Sequence, residues 1–226
     1  MAAQCITSEK LRFAYADYPQ RRVLDGLDFE VEEGTITALA GPSGCGKSTL
    51  CQILTGVIPA CIDGDLQGRV CLEGRELAGR RPAELAEVVG YVMQEPDRQI
   101  IASAVEDELA FGPENLCLPP AEIRRRVDET LELLALTDLA EADPARLSGG
   151  QKQLVAIGAV LTMAPRILIM DDPFSFLDDP GRSRLAEILT RLRQQGRTVL
   201  VVDHDYEALD FVDRLLWMEG GKVSEH

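Results

Sequence analysis

"TITALAGPSGCGKSTLCQILTGV", Thr35 to Val57, joins a short β-branched run to a helical one through a glycine-rich turn. The turn, Gly41 to Thr49, fits the spacing G-x-x-x-x-G-K-[ST] and lies after a strand and before a helix, the context that spacing requires. Each residue type has a physical reason. Gly44 and Gly46 let successive backbone N–H groups close around phosphate oxygens, and the helix N-terminus behind them adds partial positive charge. Lys47 brings a point charge to the outer phosphates, and the Ser48 hydroxyl can ligate Mg²⁺.

Three further runs read as strands. "RILIMDDPFSF", Arg166 to Phe176, sets an apolar run against Asp171 and Asp172 before Pro173 breaks it. "VVGYVMQ", Val88 to Gln94, and "RTVLVVDH", Arg197 to His204, are the others. Strands that are apolar throughout are those covered on both faces. Pro180 to Gly196 has helical spacing at Leu185, Ile188 and Leu192 and stops at Gly196. Strand, helix and strand in that order imply a largely parallel sheet with helices on both sides. In such a sheet a ligand lies beyond the carboxyl ends of the strands. Asp171 is therefore directed at Mg²⁺ beside the phosphate loop, and Asp172 at the terminal phosphate, where it can orient or deprotonate a water.

With 226 residues, 46% hydrophobic and 27% charged, the chain suits one globular unit with a sizeable core. A net charge of −15 argues against general affinity for nucleic acid or anionic lipid, so no nucleic-acid partner is expected. No stretch reaches the roughly 18 to 20 apolar residues of a membrane span, and "MAAQCITSEK" lacks the apolar centre of a signal peptide. The chain is thus expected to stay in the cytosol. Cys5, Cys45, Cys51, Cys61, Cys71 and Cys117 form no C-x-x-C pair and are expected to be reduced thiols. From about Ser103 to Ala164 helix signals dominate, with Ile123, Val127, Leu131 and Leu134 on one face behind Pro119 and Pro120. This reads as a helical subdomain inserted into the α/β core, with Arg124 to Arg126 on a solvated face.

"LSGGQKQ", Leu147 to Gln153, resembles the signature motif of ATP-binding cassette (ABC) ATPases. The other motifs stand in the family's order: Tyr15 ahead of the phosphate loop, Gln94 after a strand, "SFLD" (Ser175 to Asp178) after the carboxylates, and His204 ending the next strand. The resemblance covers nearly the whole chain. It implies an α/β fold, a P-loop NTPase of ABC-ATPase type, with a mainly parallel sheet core, an N-terminal antiparallel β part and an inserted helical subdomain. The core would take residues 1–95 and 165–226 and the subdomain about 96–164, together a single ABC ATPase domain. "PDRQIIASAVEDELAFGPENL", Pro96 to Leu116, with "LPPAEI" behind it, resembles the ATPase subunits of energy-coupling factor (ECF) importers, which serve vitamin or transition-metal uptake.

That resemblance implies ATP and Mg²⁺ as cofactors. Tyr15 would stack on adenine, with Tyr18 a nearby competitor, and Gly41, Pro42, Ser43, Gly44, Cys45, Gly46, Lys47, Ser48 and Thr49 would hold the phosphates. Asp172, His204 and Gln94 are the expected catalytic residues, and Ser48, Gln94 and Asp171 the expected Mg²⁺ ligands. Ser148, Gly149, Gly150 and Gln151 would serve the ATP of a second subunit, and Asp178 would lie at the dimer seam. No role is expected for His226. The implied partners are a second ABC ATPase, in a head-to-tail homodimer or heterodimer, a transmembrane coupling subunit and a substrate-binding membrane subunit. The chain would then lie peripherally on the cytoplasmic face of the membrane. "FGPENL" is read as a contact with the coupling subunit in preference to a Pro-terminated helix end.

The chain also departs from the family. Asp172 stands where Glu is usual, Phe174 and Phe176 where small or polar residues are usual, and Leu154 where Arg commonly follows the signature. Slow hydrolysis is therefore expected, and two other readings stay open: a soluble ABC ATPase in cofactor assembly, and an ATP-gated dimerisation clamp. The phosphate loop gives a direct test. Lys47→Ala should weaken ATP binding at least about tenfold, because it deletes the charge facing the outer phosphates. A calorimetric titration of folded mutant protein with ATP measures this, and undiminished affinity would contradict the reading.

Overall fold

In a computed structural model, residues 3–204 and 209–225 are described. His226 lies outside them. Two sheets organise the chain. The first is antiparallel, in the order β2-β1-β4-β5, built from β1 (Gln4–Tyr15), β2 (Arg22–Glu32), β4 (Gly64–Leu72) and β5 (Arg75–Glu76). The second has the order β10-β9-β3-β8-β7-β6, from β3 (Ile36–Ala40), β6 (Val89–Val92), β7 (Ile167–Asp171), β8 (Thr198–Val202), β9 (Arg214–Glu219) and β10 (Lys222–Glu225). Its five strands from β9 to β6 run parallel, and only β10 is antiparallel.

Every residue of β3, β7 and β8 is buried, as continuous apolar runs require. The two-residue period of a strand divides them between two cores. Leu39, Ile167, Ile169, Leu200 and Val202 face the antiparallel sheet and α1 (Lys47–Leu54). Ile36, Ala38, Leu168, Met170, Val199 and Val201 face the helices on the other side. Two short helices, α2 (Val57–Ala60) and α3 (Pro82–Leu85), complete the first half of the chain.

The stretch with helix signals holds α4 (Val105–Asn115), α5 (Pro120–Leu134) and α6 (Gly149–Leu161). Val127, Leu131 and Leu134 are buried and Ile123 packs beside them, so α5 presents the expected face. Arg124 and Arg125 make exposed ion pairs, but Arg126 is only 23% exposed, pairs with Glu122 and donates to the Thr162 carbonyl. The solvated face therefore ends at Arg125. Pro113 does not end α4, which runs on to Asn115.

Helix α7 (Asp179–Gln194) joins β7 to β8. It stops where expected: Gly196 has φ +81°, its N–H bonds to the Arg193 carbonyl, and the Arg197 N–H bonds to Leu192. All six cysteines are free. No helix of the described residues is long and apolar enough to cross a membrane.

One buried charge holds the start of the helical stretch together. Glu108, 4% exposed, accepts from both Ile101 N and Ala102 N at 2.8 Å. Glu108→Ala strands two backbone donors and should destabilise the chain by about 3 kcal/mol, whereas Glu108→Gln, which keeps an acceptor, should cost about half that. Calorimetric unfolding of the two variants distinguishes them.

Candidate nucleotide site

The site is a consequence of register. Leu39 of β3 and Asp171 of β7 both pair with Val202 of β8, and Val92 of β6 pairs with Met170. Four strands therefore end level, and the residues just beyond them meet at one edge: the glycine-rich loop, Gln94, the two carboxylates, and Asp203 with His204. A cleft of about 500 Å³ lies there, lined by Tyr15, Ser43, Gly44, Gly46, Lys47, Ser48, Thr49, Gln94, Asp171, Asp172 and His204. Of the residues expected around the phosphates, Gly41, Pro42 and Cys45 belong to the loop but do not line the cleft.

The loop is shaped by glycine where nothing larger fits. Gly41 has φ +154°, and a Cβ there would stand 2.1 Å from the Met218 carbonyl oxygen. Gly46 caps α1 at φ +111°. Lys47 Nζ donates to the Gly41 carbonyl at 2.7 Å and the Pro42 carbonyl at 3.1 Å, which keeps the ammonium inside the loop. Cys45 Sγ is 3.9 Å from the same nitrogen.

Asp171 is 4% exposed. Burial lifts its carboxyl above the usual range, although the Ser48 and Tyr91 hydroxyls, which hydrogen-bond to it, pull the other way. Tyr91 O–H lies 3.3 Å from Asp171 Oδ2, and burial pushes the phenol's own ionisation far up, so it stays a donor. Asp172 adopts φ +54°, the left-handed region that side chains rarely enter. Its N–H continues the ladder to the Val202 carbonyl at 2.7 Å while its side chain turns into the cleft. There Gln94 Nε2 donates to Oδ2 at 3.2 Å, and His204 Nδ1 lies 3.2 Å from Oδ1.

Tyr15 and Tyr18 both line the cleft. Tyr15 is half-buried, with its hydroxyl 2.8 Å from Thr49 Oγ1 and its ring edge-on to Phe13 at 4.9 Å. Tyr18 is 69% exposed.

The signature residues do not reach the cleft. Ser148 caps α6, accepting from Gln151 N at 3.3 Å while its own N–H donates to Gln151 Oε1 at 2.9 Å, so the Gln151 amide is engaged within its own chain. Asp178 caps α7, accepting from Gly181 N at 2.9 Å. Phe176 is 47% exposed and covers the signature glycines, since a Cβ on Gly149 would stand 3.2 Å from its ring. Phe174 is buried against Phe211, ring centroids 6.0 Å apart, and Leu154 packs on the helical core.

Several residues of the site escape a reading by motif. Arg21, in the β1–β2 connection, and Val23, at the start of β2, line the cleft where no spacing marks them. Tyr91, a polar-tipped aromatic within an apolar strand, was a legible signal, as was Asp203, an acid just past β8 as Asp172 is just past β7. A latch is less legible. Gln99 Oε1 accepts from Met93 N and its Nε2 donates to the Ala156 carbonyl, both at 2.9 Å, and Lys152 Nζ is 2.6 Å from Asp97 Oδ1. The turn after Gln94 is thereby tied to the signature helix.

A glycine-rich loop at a helix start, facing paired strand-end carboxylates, defines a nucleotide-binding protein of the P-loop class. The family model described as "ABC transporter" matches residues 24–175. The chain belongs to that family, the ABC-type ATPases. It is 40% identical over 214 residues to the cobalt import ATP-binding protein CbiO of Syntrophus aciditrophicus, covering 94% of this chain and 74% of that one. Its fold matches cbiO1 of Clostridium perfringens, described as part of the transporter complex cbiONQ, with a TM-score of 0.84, 32% identity, and 98% and 87% of the two chains covered. The cassette MJ0796, solved as a dimer bound to ADP and Pi, matches with a TM-score of 0.85, 25% identity, and 98% and 97% covered. Longer ABC transporter ATP-binding proteins of Streptomyces and Methanosarcina match at 40–47% identity, and this chain spans 34–38% of their length.

Because the Asp171 carboxyl titrates above an unfolded-chain aspartate, the nucleotide-free fold loses stability as pH rises from the ordinary value through the raised one, and regains it as pH falls. Asp171→Asn should therefore stabilise the nucleotide-free chain at neutral pH, by about 1 kcal/mol, while abolishing any Mg²⁺-dependent gain in stability with ATP. Thermal unfolding with and without Mg²⁺ and ATP reads both effects, and a destabilised variant would contradict this account of the charge.

Proposed function

We propose that the chain is the ATP-hydrolysing subunit of an ECF-type importer that takes up a vitamin or a transition-metal ion. The observation that carries this reading is the convergence of the phosphate loop, Asp171, Asp172, Gln94 and His204 on one cleft, in a chain so similar to a cobalt import ATPase. Tyr15 stacks on adenine, and the loop N–H groups with Lys47 hold the phosphates. Ser48, Gln94 and Asp171 form an all-oxygen donor set that suits a hard cation, and the buried Asp171 charge gains a partner from one. A Mg²⁺ ion held by these residues would neutralise phosphate charge.

Asp172 orients or deprotonates the water that attacks the γ-phosphate, with Gln94 fixing one of its oxygens and His204 facing the other. Aspartate is one methylene shorter than the family's glutamate, a displacement on the order of 1 Å that can cost about 10²-fold in rate.

Ser148, Gly149 and Gly150 lie outside the cleft, which supports a head-to-tail dimer in which each chain's signature completes the other's site. The dimeric MJ0796 cassette supports the same arrangement. The cbiONQ complex of the cbiO1 relative supports a membrane coupling subunit and peripheral attachment to the membrane. Ile101, 66% exposed, and Phe111, 47% exposed, are suited to that contact.

Turnover and light scattering test the proposal, with each protein in the presence of its partners. Asp172→Asn should hydrolyse ATP at least about 10²-fold more slowly and persist as an ATP-dependent dimer, Asp172→Glu should be faster than the parent, and Ser148→Arg should stay monomeric. Parental turnover in Asp172→Asn would remove Asp172 as the base. An ATP-independent monomer with every partner present would overturn the dimer.

A further inference from the structure

We propose that Asp172, Asp203 and His204 form a second cation site in the nucleotide-free chain, for a borderline divalent transition ion such as Zn²⁺ or Co²⁺, separate from the Mg²⁺ position at Ser48 and Asp171. The two strand ends bring the three residues together. His204 Nδ1 lies 3.2 Å from Asp172 Oδ1 and 3.4 Å from Asp203 Oδ1, and one ligand atom from each residue falls within 4.8 Å of the others. Nitrogen and oxygen ligands bind Zn²⁺ at about 2.0–2.2 Å, so neighbouring ligands of a tetrahedral ion stand about 3.3–3.5 Å apart. The two nitrogen–oxygen distances are close to that edge length.

The hydrogen bonding leaves one of these carboxylate oxygens, Asp172 Oδ1, unsatisfied. Asp172 Oδ1 is sealed from solvent and has no hydrogen-bond partner, since its approach to His204 Nδ1 lacks hydrogen-bond geometry. Asp203, 3% exposed, turns its Oδ1 to the His204 backbone N–H at 2.7 Å and toward the same ring nitrogen. One imidazole N–H can serve only one acceptor well, yet two carboxylate oxygens converge on it. A divalent ion bound by all three resolves that convergence and leaves its fourth position open to the cleft, the arrangement of an open three-ligand site.

The imidazole sets the ion's class. Nitrogen ligation favours Zn²⁺, Co²⁺ or Ni²⁺, whereas Mg²⁺ prefers an all-oxygen octahedron. Asp172 contributes through its length, because the family's glutamate would carry the oxygen about one bond further from its present place beside Nδ1. An ion held here occupies both Asp172 and His204 and arrests hydrolysis while leaving the phosphate loop free. The site depends on neither the transported cargo nor the membrane partners.

Cobalt spectroscopy on the full nucleotide-free chain tests the proposal. Titration with Co²⁺ should give one equivalent bound, with the visible absorption intensity of a four-coordinate ion and no near-ultraviolet thiolate bands. Affinity should fall at least about tenfold in each of His204→Gln, Asp203→Asn and Asp172→Glu, and remain parental in Lys47→Ala, with circular dichroism confirming that each variant is folded. Excess Mg²⁺ should not displace the Co²⁺. Absence of binding, thiolate bands showing cysteine ligation, or parental affinity in the three site variants would overturn the site.

Discussion

The backbone ladder that holds β3, β8 and β7 level is the constraint on which the rest of this molecule depends. It continues one residue past the strands: Asp172 N bonds to the Val202 carbonyl at 2.7 Å and Asp203 N to the Leu39 carbonyl at 3.2 Å. The two acids are thus positioned by main-chain hydrogen bonds, and only their side chains remain to be aimed. The left-handed backbone at Asp172 does that aiming. A one-residue slip of β7 against β8 would exchange its two core faces and carry Asp171 away from Ser48.

Holding carboxylates at the edge of a buried sheet is unfavourable unless donors surround them. Tyr91 and Ser48 serve Asp171, and Gln94 serves Asp172. These donors are too few to cancel the burial of Asp171, whose carboxyl remains harder to ionise than in water. A divalent cation is the kind of ligand that would compensate such a charge, so the feature that lowers the stability of the bare fold suits the cation ligation proposed for Asp171.

Beyond the shared apolar core, polar contacts near one turn link the phosphate edge to the helical stretch. Gln99 and the Asp97–Lys152 pair fasten the segment behind Gln94 to α6, while Glu108 fastens the following residues to α4. A displacement of Gln94 therefore has a mechanical path to the signature residues at the start of α6. Phe176, lying over Gly149 and Gly150, joins the segment after the carboxylates to the same helix, and its exposed ring extends the surface that the signature presents.

Much of this was legible along the chain. Gly41 to Thr49, the strand ending in Asp171 and Asp172, and the helix stop at Gly196 arise from local chemistry: turns that need glycine, phosphates that need backbone donors, periods of two and 3.6 residues. Such demands fall on neighbours in sequence and leave a readable spacing. Burial also explains the departures at Phe174 and Leu154, which pack into the helical core and need not act on the cleft. Tyr91 stood out as a residue type, but its pairing with Asp171, the position of Asp172 between Gln94 and His204 and the Gln99 latch to Ala156 left no such trace. Their partners lie 78, 80 and 57 residues apart for Gln94–Asp172, Tyr91–Asp171 and Gln99–Ala156. Contacts of that separation are set by strand register and helix packing, and no periodicity in a single sequence encodes which side chains the fold will bring within hydrogen-bond reach of one another.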